Sequence, residues 1–306
     1  MKAGTNLEKV LDAGKFAVTA EAGPPKGTDP NIVLQHGEHL KSCCDAVNVT
    51  DNQTAVVRMS SIAGCVLLRQ KNVEPVMQMV CRDRNRIALQ SDVLGAIALG
   101  IGNFLCLSGD HQKFGNHPTA KHVFDIDSIQ LIQTLKKMRD EKKMLCGDDI
   151  SGEVPIFIGA AENPFADPFE FRVVRLAKKI NAGADFIQTQ GVFDVPKFAK
   201  WMQMVCDRGL DKKVHIMAGI IPMRAAGMAR YMQNNVPGMS VPQELVKRME
   251  GAGKAGKEEG LKIALELIEQ VKAIPGVHGI HVMAVGWEAI VPELIQKAGL
   301  MPRPTV

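Results

Sequence analysis

Short apolar runs alternate with longer amphipathic stretches along the whole chain. Residues 16–21 (FAVTAE) read as the first strand, closed by the turn Gly23-Pro24-Pro25-Lys26-Gly27. Pro30 then opens a helix expected to run to Lys41, since proline is tolerated in a first turn. The rhythm continues with strands expected at 45–50, 75–81 and 104–107 and helices at 58–70, 86–99 and 127–143. The last of these begins at an Asp and ends among lysines, as the helix dipole favours. In the second half, strands are expected at 155–160, 185–190, 214–220 and 279–284. Helices are expected at 168–182, 196–208, 224–234 and 288–298, with a further helical region, 242–272, inserted before the last strand. Gly183 and Gly209 fall where helices should stop.

That pattern makes eight strand–helix units, most strands being near-continuous apolar runs. Such runs belong in a parallel sheet covered by helices. Eight units close naturally into a (β/α)8 TIM barrel of the α/β class, here one domain over residues 1–306 with a helical insertion before the last strand. An open doubly wound sheet is the competing architecture. It would carry a glycine-rich phosphate turn after an early strand, and no GxGxxG follows residues 16–21 or 45–50. The biased stretch GAGKAGKEEG at 251–260 reads as an exposed turn between helices.

Composition narrows the partners. A hydrophobic fraction of 46% and a charged fraction of 23% suit a globular protein with a sizeable core. The net charge of +4, with acids and bases interspersed, accommodates a small anionic ligand and demands neither nucleic acid nor membrane. Apolar runs such as 93–99 are too short to span a bilayer, and MKAGTNLEKVLDAGKF has no signal-like core, so the cytoplasm is expected. Seven cysteines include no CxxC pair; Cys65, Cys81 and Cys106 lie in apolar runs and read as small reduced hydrophobes.

In such a barrel the chemistry comes from the C-terminal strand ends. Those ends carry Glu21, Thr50-Asp51-Asn52-Gln53, Gln78, Cys81-Arg82-Asp83, Ser108-Gly109-Asp110-His111, Glu162-Asn163 and Gln188-Thr189-Gln190. Asp51 and Asp83 suit capping or turn roles as well as function. Glu21 ends an apolar strand and precedes Ala22-Gly23, so it is expected in a confined pocket, where desolvation raises a carboxyl's pKa and suits a general acid. The plainer alternative is a Glu paired with a Lys or Arg of a neighbouring loop.

The phrases AEAGPP at 20–25, DAVNVTDN at 45–52, LSGDH at 107–111, AGADFIQTQGVFD at 182–194 and AGIIP at 218–222 occur in order along the chain. Together they resemble the flavin-dependent methylenetetrahydrofolate reductase family from about residue 14 to about 300. The resemblance implies a flavin at the barrel mouth that passes a hydride from its N5 to the methylene carbon of 5,10-methylenetetrahydrofolate, giving 5-methyltetrahydrofolate reversibly. It makes Glu21, in its E-x-x-P-P context, the acid that assists ring opening. It places Asp110 between flavin and pterin and Gln190 on the bound folate. Thr50, Gln78, Ser108, Gly109, Asp110, His111, Ala160 and Lys179 fall at its flavin-contacting positions, Lys179 being suited to phosphate.

Departures from the family pattern carry their own expectations. Gln78 replaces a His, Ser108 an Arg, the small residues around Ala160 a Tyr, and Arg172 an acid. These positions touch the flavin's phosphates and adenosine half, which leaves FMN and FAD both open. The aromatic run after TQ is Gly191-Val192-Phe193, and Ala226 stands near an expected Phe. Without those stacking faces the pattern is similar to the acetogen-type catalytic subunit, which draws electrons through a second protein subunit, in a homo- or hetero-oligomer. NADH bound elsewhere is the alternative. The histidines of HQKFGNHPTAKH at 111–122 match no metal-ligand spacing, so no metal is expected and the segment reads as a lid. His215, His278 and His281, at or within strands, read as packed. Two rival functions remain: a pterin-binding barrel that transfers a methyl group from methyltetrahydrofolate, and a non-catalytic scaffold subunit of an electron-transfer complex.

Overall fold

A computed structural model describes residues 1–236 and 238–306. Eight parallel strands close into a barrel in chain order: β1 (Ala17–Ala22), β2 (Ala46–Val49), β3 (Pro75–Val80), β4 (Asn103–Leu107), β5 (Phe157–Glu162), β6 (Phe186–Gly191), β7 (His215–Ile220) and β8 (Gly279–Val282). The seam is β8 against β1, where Thr19 lies opposite His281. β2 and β3 are buried at every position, as strands covered on both faces must be.

The outer layer is formed by α2 (Asn31–Leu40), α3 (Ser61–Gln70), α4 (Arg86–Ala98), α5 (Ser128–Glu141), α6 (Phe171–Ala182), α7 (Val195–Asp207), α8 (Ala226–Asn235), α10 (Gly256–Lys272) and α11 (Val291–Lys297). The insertion expected before β8 is α9 (Gln243–Ala252) followed by α10. Arg248 ties the two together, bonding Glu259 at 2.8 Å and Glu266 at 2.7 Å. Gly260 lets α10 lie directly on the backbone after β7; a Cβ there would stand 1.6 Å from the Met223 carbonyl oxygen.

The lower barrel is filled by Ala17, Ala46, Val76, Leu105, Phe157, Phe186 and Met217, with Phe157 and Phe186 stacked at 5.1 Å. Helix α1 (Asn6–Asp12) plugs this end with Leu7, Val10 and Leu11. That helix was not expected: seven residues hold too few turns to show a period. Each such buried side chain contributes on the order of 1.5–3 kcal/mol of transfer free energy.

Some boundaries move for local reasons. The fifth strand runs two residues later than expected, because its ladder starts where Phe157 N donates to the Gly102 carbonyl at 2.8 Å. Residues 58–60 are not helical; the preceding loop takes left-handed conformations at Asn52, Thr54 and Ala55 before Ser60 starts α3. No helix among the described residues is long and apolar enough to cross a membrane.

Candidate functional site

A cavity of about 370 Å³ opens at the C-terminal mouth, and a second of about 290 Å³ adjoins it at Glu21. The first has an apolar floor of Leu105, Cys106, Leu107 and Met283 and polar walls from β5, β6 and α6. The second is lined by Gly23-Pro24-Pro25, His36, Thr50, Arg58 and the segment after β8. A pocket of this size suits a small organic ligand. No Phe, Tyr or Trp lines either cavity among the described residues.

Glu21 is half-buried near the end of β1 and belongs to both cavities. Gln78 Nε2 donates to its Oε1 at 3.1 Å, and His281 Nε2 faces the same oxygen at 3.6 Å. Among the described residues no Lys or Arg pairs with Glu21, and Oε2 has no partner. Gln190 lines the larger cavity, its Oε1 accepting from the Gly191 amide at 3.0 Å. Ser108 lies at the rim, bonded to Ser128 at 3.1 Å. Gly109 sits at φ +88°, and a Cβ there would press on Val80 and Arg82 at 3.1 and 3.2 Å.

Asp110 lies outside the larger cavity. It is exposed, and its Oδ2 accepts from the Thr54 amide at 3.1 Å, so it holds the loop after β2. His111 is also exposed; its Nδ1 accepts from the Lys113 amide at 3.1 Å and its ring lies 5.6 Å from that of His122. The segment 111–122 packs along the loop after β2. Gly115 contacts Ala55, and Asn116 Oδ1 accepts from the Val57 amide at 3.1 Å. Arg86 anchors its far end through Asp125 at 2.7 and 2.9 Å.

Two expected contacts change. Ala160 is buried on the outer face of β5, and Ala161 faces the cavity instead, because successive strand residues point to opposite sides. Lys179 reaches the cavity wall, but its ammonium bonds the Ala161 carbonyl and lies 2.7 Å from the buried carboxylate of Glu162. Burial pushes the Lys179 pKa down, with Glu162 pulling it back up. Its charge is already engaged. Arg172 and Arg175 of α6 share the cavity wall with it; Arg175 has no hydrogen-bond partner among the described residues.

Asp51 and Asp83 are both engaged by neighbouring arginines. Asp51 accepts from the Val80 amide at 2.9 Å and pairs with Arg84 at 2.6 Å. Asp83 pairs with Arg82 at 2.7 Å through both oxygens; burial works against its charge, but Arg82 and Arg84 hold its pKa below the usual carboxylate range. Buried Arg82 also donates to the carbonyls of Asn52 and Asp110, stitching the loops after β2, β3 and β4. His215 and His278 pack at the opposite end, rings edge-on at 5.4 Å, with His215 3.1 Å from Asp12. His281 does not: it lines the larger cavity beside Glu21.

Two observations bear on what the site holds. Thr50 Oγ1 and Arg172 Nε are buried with no partner. Unpaired buried polar atoms of this kind are costly unless a ligand or water satisfies them.

Comparison with known proteins gives a matching family. The family model described as methylenetetrahydrofolate reductase matches residues 6–299. Methylenetetrahydrofolate reductase 2 of Schizosaccharomyces pombe is 23% identical over 251 residues, 78% of this chain and 38% of the relative. The 5,10-methylenetetrahydrofolate reductase of Pectobacterium carotovorum is 22% identical over 296 residues, 94% of this chain and 92% of the relative. The chain thus spans well under half the length of the two S. pombe relatives, 38% and 36%. Among solved structures, a Clostridium thermocellum protein that binds two copies of 5-methyl-5,6,7,8-tetrahydrofolic acid shares the fold at TM-score 0.63 and 14% identity, covering 96% of this chain and 98% of that one. A riboflavin lyase with modified FMN does so at TM-score 0.57 and 9% identity, covering 94% and 91%.

Proposed function

The chain belongs to the methylenetetrahydrofolate reductase family, and from that premise we propose that its barrel mouth binds a flavin and a reduced folate. There it interconverts 5,10-methylene- and 5-methyltetrahydrofolate. The observation that carries this reading is the place of Glu21. Its carboxyl stands where two cavities meet, with Oε1 held by Gln78 and Oε2 unpartnered. A carboxyl held by one oxygen can keep a proton on the other and deliver it to a bound nitrogen, which is general-acid work.

The residues at the mouth fit a flavin. Thr50 offers an unsatisfied hydroxyl, and Arg172, Arg175 and Lys179 offer cations to phosphate. Gln78, Ser108, Gly109, Asp110 and His111 complete the proposed contacts, with Ala161 taking the wall position next to Ala160. Bound there, a flavin supplies hydride chemistry that no side chain can. Because Lys179 is paired with Glu162, the two arginines carry most of the phosphate attraction. Gln190 orients the folate by hydrogen bonds, and Glu21 protonates it for ring opening. Electrons arrive through a partner protein subunit.

Anaerobic mixing of the purified yellow protein with methyltetrahydrofolate tests the reading: the flavin should bleach. A methyl-transferring barrel would bind the folate without flavin, and a scaffold subunit would bind neither. Either result refutes the proposal.

A further inference from the structure

A general acid must recover its proton after every turnover, and the two cavities at Glu21 divide that task from the chemistry. Once flavin and folate fill the larger cavity, the smaller one is the side of Glu21 left open. It reaches solvent, since two of its lining side chains, Ile32 and Val285, are 38% and 52% exposed. Its volume of about 290 Å³ has room for several waters. Each takes about 30 Å³ in the liquid.

The ionisable side chains on its walls are Glu21, His36, Arg58 and Glu288. Arg58 stays protonated and cannot pass a proton on; its Nη1 holds the turn after β1 through the Pro24 carbonyl at 3.0 Å. His36 can give and take a proton near neutrality. It lies on α2, its Nε2 3.8 Å from Glu288 Oε2 in the short turn 288–290 before α11. Glu288 is fixed in turn by the Gly286 amide, which donates to its Oε1 at 3.2 Å. Thr50 aside, whose hydroxyl is proposed to meet the flavin, His36 Nδ1 and Arg58 Nε are buried with no partner among the described residues. Buried polar atoms of this kind hold ordered water where there is room for it.

Burial pushes the His36 pKa below its ordinary value, Glu288 pulls it up, and His39 of the same helix pushes it down. Such a ring is mostly neutral at neutral pH and, once protonated, a ready donor. Packing α2 against the turn would by itself favour an apolar side chain, because an unpartnered buried nitrogen is costly.

We infer that the smaller cavity is the proton path of Glu21, and that His36, facing Glu288, relays protons between solvent and the Glu21 carboxyl through water held there. Each folate reduced consumes one proton and one hydride. A C–N bond of the five-membered ring breaks, the nitrogen takes the proton from Glu21, and the carbon takes the hydride. His36 then returns a proton from solvent to Glu21; in oxidation the proton that Glu21 takes from the nitrogen leaves by the same path. The inference rests on the proposed role of Glu21 as proton donor to the folate.

His36→Gln keeps a hydrogen-bonding side chain that cannot titrate. Mixed anaerobically with methyltetrahydrofolate, this variant should bleach its flavin at the wild-type rate, because one turnover leaves its proton on Glu21. With a dye acceptor present it should show one fast turnover and then a steady state about a hundredfold slower, the low end of what a proton-transferring side chain contributes. Thus kcat falls while kcat/KM for the folate holds, whereas a structural defect would lower both. His36→Ala should behave alike, and added imidazole should restore its steady state. Should neither variant fold, Glu288→Gln carries the test and should show the same fast first turnover and slowed steady state. Wild-type steady-state turnover in these variants, equal losses in bleaching and steady state, or no rescue of His36→Ala by imidazole overturns the inference. If Glu21→Gln bleaches with folate as fast as the wild type, the role of Glu21 fails first and this inference with it.

Discussion

The ammonium of Lys179 and the carboxylate of Glu162 lie 2.7 Å apart, both buried in the wall of the larger cavity. Burial pushes the Lys179 pKa down, and the Glu162 carboxylate beside it pulls it back up. Removing one member of such a pair leaves an uncompensated buried charge, at a cost of about 3–5 kcal/mol. Lys179→Met should therefore lower the denaturation midpoint of the flavin-free protein, and Glu162→Gln/Lys179→Met should recover much of it. A lysine serving only a cofactor phosphate would leave flavin-free stability unchanged, and urea titration separates the two.

Glu21→Gln retains the size and hydrogen-bonding shape of the side chain while removing its transferable proton. Folate reduction should fall at least about a hundredfold, the scale of lost acid catalysis. Reduction of the flavin by an artificial donor should hardly change. Equal losses in the two half-reactions would make Glu21 structural.

Much of the barrel was legible because its signals are local. Every apolar run that must be buried on both faces became a strand, and the glycines at 183 and 209 follow α6 and α7 closely. What failed was parity and distance. A two-residue shift of β5 keeps parity, but the side each residue faces depends on closure, and Ala161 rather than Ala160 meets the cavity. His281 read as a packed strand residue because its partner Thr19 is 262 positions away and only the closed seam joins them. The Lys179–Glu162 pair was missed for a related reason: α6 and the end of β5 meet only once α6 has packed back on the barrel. Glu21 was readable because its strand, turn and following glycine are contiguous in sequence.

The thiols divide by burial. Burial pushes the Cys81 pKa up to about 12 and those of Cys65 and Cys106 up as well, whereas Cys146 is exposed. Only thiolates react quickly, so alkylation of the native protein near neutral pH should mark Cys146 first. Peptide mapping should find Cys65, Cys81 and Cys106 modified only after denaturation. Native labelling of Cys81 at the rate of Cys146 would mean that the barrel opens there.

Asp110→Asn isolates charge from shape. The asparagine oxygen can still accept from the Thr54 amide, so the loop after β2 should stay in place. Were the proposed flavin to lie beside it, this carboxylate would disfavour added negative charge, so its removal should raise the flavin potential, and folate binding should weaken. Potentiometry and folate titration check both. If Asp110→Asn changes neither while Asp110→Ala loosens the loop, Asp110 serves the lid alone.

The source of electrons is the last question the site bears on. Aromatic faces help to hold a nicotinamide dinucleotide by stacking, and none lines either cavity among the described residues. Val192 and Phe193 are buried in the core, and a Cβ at Gly191 would already stand 2.5 Å from Ile221. An aromatic at 191 would have to displace that core side chain, and Ala226 at the start of α8 offers only a methyl group. Each stacking face contributes about 0.5–1.5 kcal/mol beyond burial, so losing two or three weakens dinucleotide binding by up to about three powers of ten. The folate side keeps Glu21 and Gln190, so its half-reaction should persist. The isolated chain should oxidise methyltetrahydrofolate with a dye acceptor and react poorly with NADH or NADPH. Stopped-flow mixing of the oxidised flavoprotein with each nicotinamide measures this directly. Rapid bleaching at micromolar NADH, with no second subunit present, would refute dependence on a partner.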